Sequence, residues 1–438
     1  MAPGACRSVE RSREPGETGL RGGLRAPDRP NLIRVIPAKG VLLIMSNTGT
    51  AGPPGVDVVV VGAGVVGLSI AWRARTRHGL AVTVVDPAPG TGASHAAAGM
   101  LTPVSELQYG EESLLRLSIE SARRYPEFAA ELADAAGLPS GYRACGTIAV
   151  ALDADDRAVL KDLHAYQERL GLRSDRLTSR ECRRLEPMLS PAITGGLHVG
   201  DDHQIDNRAL VAALLAACAR AGVTIVREGV ERVLVAAERA YGVRLRDGRA
   251  LTADQVLLAA GCHSARIPGL PPEVVPPVRP VKGEILRLSV PSAMRPLLSR
   301  NIRGVVKGGS MYLVPRVSGE LVIGATEHDL GFDTEVTAGG VYELLRDAHE
   351  LVPGVTELPL VETLAGLRPG SPDNAPILGR SALAGLVVAT GHHRHGILLT
   401  PITADTVADV LAHGTTPDLI APFGPDRFTT SAARKVMA

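Results

Sequence analysis

The chain of 438 residues carries 47 basic and 46 acidic residues, a formal charge of +1, and 45% of its positions are hydrophobic. This near-neutral balance argues against a nucleic-acid partner and the dispersed apolar content argues against intrinsic disorder, while the length suffices for two or three domains. Five cysteines (Cys6, Cys145, Cys182, Cys218, Cys262) are odd in number and show no CxxC spacing, so neither a disulfide framework nor a metal centre is expected, and a reducing cytoplasm fits best.

Residues 1–55 interleave Gly, Pro and Arg without a helical or strand period, and no packed structure is expected there. Their one apolar stretch is broken by Pro37, Lys39 and Gly40, too early for a signal-peptide core, and no stretch in the chain reaches the roughly 18 apolar residues of a membrane span. Met45 opens a short polar run that leads into a strand, which points to residues 1–44 as an upstream leader. That segment holds eight basic and four acidic residues, so the remainder is mildly acidic and still less suited to a nucleic acid.

From residue 56 the pattern is strand (56–61), glycine turn, apolar-periodic helix to about 77, and strand (81–85), a βαβ unit. Helical periods follow at 111–137, 154–170, 208–221 and 338–351. Strand-forming stretches lie at 223–245, 255–260, 283–290 and 312–325, and a strand-helix pair closes the pattern at 386–389 and 396–411. Asp247-Gly248 and Ser318-Gly319 sit between apolar runs, which is hairpin chemistry and implies an antiparallel sheet in the middle of the chain. The pattern predicts two interleaved parts: a dinucleotide-binding part over 56–110, 190–275 and 362–425, and a substrate part over 111–189 and 276–361, with 426–438 as a tail.

Gly62, Gly64 and Gly67 follow the first strand and open the first helix, and Asp86 ends the second strand nineteen positions later. In this context the spacing is a dinucleotide fingerprint. Gly62 permits a tight turn, Gly64 close backbone approach to a pyrophosphate, and Gly67 close packing of helix on strand, while Asp86 would accept a hydrogen bond from a ribose. The fingerprint alone does not separate NAD from FAD. The small-residue run from Gly92 to Met100 suits either an extended cofactor or an ordinary loop.

Five segments together resemble FAD-dependent amine oxidases of the D-amino-acid oxidase superfamily, and within it the glycine oxidases of thiamine biosynthesis. They are 58–67, 93–101, 202–210 (Asp-His-Gln-Ile-Asp-Asn-Arg-Ala-Leu), 365–379 and 389–401 (Ala-Thr-Gly-His-His-Arg-His-Gly-Ile-Leu-Leu-Thr-Pro). The resemblance runs from about residue 56 to 423. It implies a Rossmann-type FAD-binding domain interleaved with an α+β substrate domain built on an antiparallel sheet. By the same resemblance Val65, Val66, Asp86, Pro87, Ala93, Ser94, Ala98, Gly99, Met100, Val230, Gly261, His392, His393, Arg394, His395, Gly396, Ile397 and Leu398 would line FAD. His395 stands where asparagine is more usual. A homotetramer is also implied.

Oxidising an amino acid requires its carboxylate to be held, its amine to be neutral and its α-hydrogen to face flavin N5. A planar guanidinium suits the first task, and Arg368, in Ala-Gly-Leu-Arg-Pro-Gly, matches the carboxylate-binding arginine of the family. Tyr312 matches a tyrosine beside the substrate carboxylate, though a core role is nearly as open to it, and Arg394 matches a second arginine that orients the flavin, gates the substrate or pairs with an acid. No general base is required for hydride transfer. Lys282 and His328 are open to a charge-supplying role toward O₂ or a structural one. The absence of cysteine between Gly304 and Arg316 implies non-covalent FAD. The expected reaction yields glyoxylate, ammonia and H₂O₂ from glycine and O₂. The alternatives are a broader D-amino-acid, sarcosine or proline oxidase or dehydrogenase, and more remotely a flavin-bound tRNA-modifying or non-catalytic partner protein.

Overall fold

The computed structural model describes residues 56–428, so the expectations for residues 1–55 and for most of the tail lie outside the described residues. Two large sheets organise the fold. The first has six strands in the order Ile377–Arg380, Leu386–Thr390, Gln255–Leu258, Val58–Val61, Val82–Val85 and Thr224–Val226, parallel throughout except at the Ile377–Arg380 edge. Val58–Val61 is a run of four valines, all buried. Such runs occur where both faces of a parallel sheet are covered.

Because side chains alternate across a strand, this run feeds two cores. Val58 and Val60 pack with helices Val65–His78, Glu112–Ala136, Asn207–Arg220 and Thr400–His413. Val59 and Val61 pack against an antiparallel meander, Val230–Ala236, Arg239–Leu245 and Ala250–Thr252. The Asp247-Gly248 hairpin joins the last two of these strands, as the sequence predicts.

The second sheet has eight strands in the order Leu360–Gly370, Arg279–Ser289, Glu320–Gly324, Gly309–Pro315, Asn301–Val306, Thr147–Ala151, Gly195–Val199 and Asp175–Thr178. It is antiparallel around the Ser318-Gly319 hairpin but not throughout, since Asn301–Val306 runs parallel to Thr147–Ala151. That pair joins strands contributed by two distant stretches of chain. Strands Gly195–Val199 and Leu360–Gly370, which fall at the predicted boundaries at 190 and 362, both pair in this sheet. Helix Ala338–Leu351 covers one face, where Leu344, Ala348 and Leu351 meet Ile302, Leu313 and Ile323. Among the described residues no helix is long and apolar enough to cross a membrane.

Candidate functional site

The fingerprint turn has the shape its glycines predict. Gly62 has φ +108°, and a Cβ there would lie 2.5 Å from the Ala259 carbonyl oxygen. A Cβ on Gly67 would lie 2.0 Å from the Gly62 carbonyl oxygen, so the first helix can sit on its strand only with glycine at this position. The helix starts with no acidic residue in its first turn, leaving its N-terminal dipole available to an anion. Asp86 braces the turn from behind, accepting from the Ala63 amide at 2.7 Å and the Ala88 amide at 2.8 Å. A carboxylate has about four acceptor positions, so capacity remains.

The 92–100 run crosses this turn. Ser94 Oγ accepts from the Val65 amide at 3.0 Å, Gly99 has φ +73°, and a Cβ on Gly99 would lie 2.0 Å from the Ile205 carbonyl oxygen. Two side chains that sequence reasoning missed hold the run in place. Asn207 donates to the carbonyls of Ser94 and His95 at 2.9 and 2.8 Å, and Arg316 donates to Ala98 at 2.5 Å and to Ile205 at 3.0 Å. Asn207 lies within the quoted 202–210 segment, which was the available signal; Arg316 gave none. Pro87 and Ala93 are exposed beside the turn, Val66 and Met100 are half-buried, and Val230 is buried at the start of the meander. Gly261 has φ +55°, and a Cβ there would meet nothing within 4 Å.

The other half of the site is the face of the eight-stranded sheet against which the 93–101 run packs. Register puts Arg303 beside Tyr312, Tyr312 beside Gly324, Gly324 beside Ile285, and Val281 beside Arg368, so period-two alternation aims these side chains to one face. Three glycines make room on it. A Cβ on Gly283 would lie 2.5 Å from Arg368 Nη1, one on Gly324 2.4 Å from the Tyr312 hydroxyl oxygen, and one on Gly366 2.5 Å from Ala96 Cβ. Glycine inside a strand commonly marks such an approach, a signal present in the sequence at all three positions.

Arg368 lies close enough to Tyr312 to act on its hydroxyl, and it donates to the Thr326 carbonyl at 3.3 Å. Burial raises the Tyr312 hydroxyl above its ordinary range, with Arg368 pulling the other way. Arg303 is paired with Glu106 and Arg394 with Glu111. Burial pushes the Glu106 carboxyl up, but the Arg303 and Arg394 guanidinia outweigh it and leave it below the usual carboxylate range. Neither glutamate was singled out from the sequence, because a lone acid in a loop carries no pattern. Of the three readings open for Arg394, pairing with an acid is the one observed. Lys282 is buried against Asp333 at 2.6 Å and Glu284 at 3.5 Å, a structural ion pair.

Beside Arg368 stands the His-rich turn that precedes helix Thr400–His413. His392 contacts Thr403 Oγ1 at 3.2 Å. His393 and His395 are buried, and neither ring nitrogen of His393 nor Nδ1 of His395 has a hydrogen-bond partner, although Glu327 lies 3.9 Å from His393 Nε2. Burial, then Arg394 and Arg368, push His393 down to about 3; burial, then Arg394, do the same to His395. Tyr125 and Ser121, on the long helix, donate to the carbonyls of Ile397 and Leu398 at 2.6 and 2.7 Å.

A glycine cradle at a helix start without acids, and buried imidazole nitrogens without hydrogen bonds at a second turn, fit an elongated dinucleotide cofactor beside Arg368, a half-buried arginine with no acid partner among the described residues. The fold and site thus define a dinucleotide-dependent oxidoreductase. The chain belongs to the DAO family of FAD-dependent oxidoreductases, whose pattern it matches over residues 57–410, and its cofactor is FAD. It is 34% identical over 383 residues to the bifunctional protein ThiO/ThiG of Trichormus variabilis, covering 87% of this chain and 56% of that protein. It therefore spans about half the length of the curated relatives it matches first. The glycine oxidase of Geobacillus kaustophilus is 34% identical over 374 residues, covering 85% of this chain and 97% of that protein. The crystal structure of glycine oxidase from Geobacillus kaustophilus superposes with a TM-score of 0.77 at 33% identity, covering 85% of this chain and 98% of that one.

Proposed function

We propose that the chain oxidises glycine to its imine, which hydrolyses to glyoxylate and ammonia, with O₂ reduced to H₂O₂, and that the product supplies thiazole formation in thiamine biosynthesis. The relatives named glycine oxidase and ThiO/ThiG support this reading. The observation that carries it is the charge state of the pocket. Of Arg303, Arg368 and Arg394, only Arg368 has no acid partner among the described residues. A half-buried, uncompensated guanidinium calls for an anion, and a planar carboxylate fits it with two parallel hydrogen bonds.

FAD, when bound, supplies two-electron acceptor chemistry. The rest falls to this chain. The 62–67 turn and Asp86 would hold the dinucleotide end, Val65, Val66 and the 93–100 run its middle, and the 392–398 turn its redox-active end. Arg368 and the Tyr312 hydroxyl fix the substrate carboxylate, which points the α-carbon away from the sheet face. His393 and His395, neutral at any working pH, add no positive charge that would compete for the carboxylate. Non-covalent FAD, O₂ as acceptor and a tetrameric assembly belong to the same reading. Anaerobic addition of glycine to the purified protein is expected to bleach its flavin absorbance. A flavin that stays oxidised with glycine but bleaches with another amine would overturn the substrate assignment.

A further inference from the structure

The two helices that begin at the cofactor turns end at a shared point far from those turns. Helix Val65–His78 finishes on His78, and helix Thr400–His413 finishes on His413, with Asp409 one turn earlier on the same face. One ligand atom from each of His78, Asp409 and His413 falls within a sphere of mutual separation no larger than 4.8 Å. The two imidazole rings meet edge to face with centroids 5.2 Å apart.

His78 Nε2 lies 3.0 Å from Asp409 Oδ1, yet this buried nitrogen has no hydrogen-bond partner. The two atoms are close but not aligned as donor and acceptor. A separation of about 3.0–3.4 Å is the edge of a coordination polyhedron with bonds of about 2.1 Å. Both atoms are therefore spaced as neighbours on one ion would be. His413 is exposed, so its side chain is free to rotate into the third position.

The electrostatic setting agrees. Two helix C-termini meet here, and the unsatisfied carbonyls of each favour a cation. Of the nearby arginines, Arg77 is committed to Asp405 at 2.9 Å and Glu131 at 3.6 Å, Arg75 to the carbonyls of Ala221 and Gly79, and Arg380 to the Gly414 carbonyl at 3.4 Å.

We propose that His78, Asp409 and His413 form a site for a divalent first-row transition ion such as Zn²⁺ or Ni²⁺. Two imidazoles and one carboxylate would bind it, with water completing the shell. Two nitrogen donors select against Mg²⁺ and Ca²⁺, which take oxygen ligands. The ion clips together the far ends of the two helices whose near ends carry the glycine turn and the histidine turn, and so stabilises the cofactor-binding half of the molecule.

The test uses full-length, flavin-loaded protein without an affinity tag. Calorimetric titration with ZnCl₂ and with NiCl₂ should give one saturable site per chain, and either ion should raise the melting temperature. His413→Ala and Asp409→Asn, both surface changes, should each weaken binding at least about tenfold while leaving flavin content unchanged. Wild-type protein that takes up no ion would overturn the proposal. So would variants that bind as tightly as wild type, because the ion would then sit elsewhere.

Discussion

Gly283 and Arg368 are diagonal neighbours on paired strands, Val281 being the residue opposite Arg368, and the space the glycine leaves is filled by the guanidinium. Arg368→Ala removes a charge-assisted pair worth about 3 kcal/mol, so kcat/KM for glycine should fall roughly 100-fold, chiefly through KM. Gly283→Ala should do the same more mildly, since its methyl would stand 2.5 Å from Nη1 and displace the guanidinium without removing it. Steady-state kinetics with flavin content measured alongside separates these effects from loss of cofactor. Gly67→Ala has the opposite signature. Its methyl meets backbone at 2.0 Å, which cannot rotate away, so the helix start must shift and the purified protein should lose its yellow colour.

At the scale of elements, helix Glu112–Ala136 acts as a strut for the turn before the last helix. Tyr125 and Ser121 hold the Ile397 and Leu398 carbonyls from inside the core, which fixes the orientation of the peptide planes at that turn. Tyr125→Phe would remove one of two donors to the Ile397 carbonyl, which keeps the Thr400 amide at 3.1 Å, at a cost of about 0.5–1.5 kcal/mol. The expected outcome is a lower melting temperature and faster loss of FAD on dialysis than in wild type. This dependence was not legible in the sequence: the 111–137 period predicted the helix to within a residue of its ends, but not which turn its buried tyrosine would reach across more than 270 positions. Local patterns fared better where one strand or turn decides the outcome. The valine run, the 62–67 glycines and the two hairpins are each specified by neighbours in the chain. The eight-stranded sheet is not. Thr147–Ala151 and Asn301–Val306 pair in parallel although 150 residues separate them, and the metal-ligand triad likewise joins positions 78, 409 and 413. Asp86, Arg368 and Tyr312 could be singled out because each sits in a motif, whereas Glu106 acquires meaning only through Arg303, and Glu111 only through Arg394.

For the whole molecule, the buried histidines set a pH dependence. Burial lowers His392 to about 4, and burial with neighbouring arginines lowers His393 and His395 to about 3. Unfolding exposes each to its ordinary value near 6.5, so between about 6.5 and 4 the unfolded chain binds protons that the folded one does not. Each then removes about 1.4 kcal/mol of stability per pH unit as the pH falls. Asp202 opposes them: burial raises it to about 7, so acidification over the same interval favours the folded state. His95, His203 and His263, also lowered, add to the loss, and Glu186, raised by burial, joins Asp202 against it, so that the balance is a net loss. The melting temperature should fall steadily from pH 6.5 to 4, and His393→Phe should flatten that slope; an unchanged slope would remove His393 from the account.

The most direct test of the central claim is oxygen uptake by the purified yellow protein with glycine, compared between wild type and Arg368→Ala. The account predicts uptake with stoichiometric peroxide in wild type and a KM raised by roughly two orders of magnitude in the variant, with flavin retained. No uptake with glycine, or the same KM in both proteins, would contradict it.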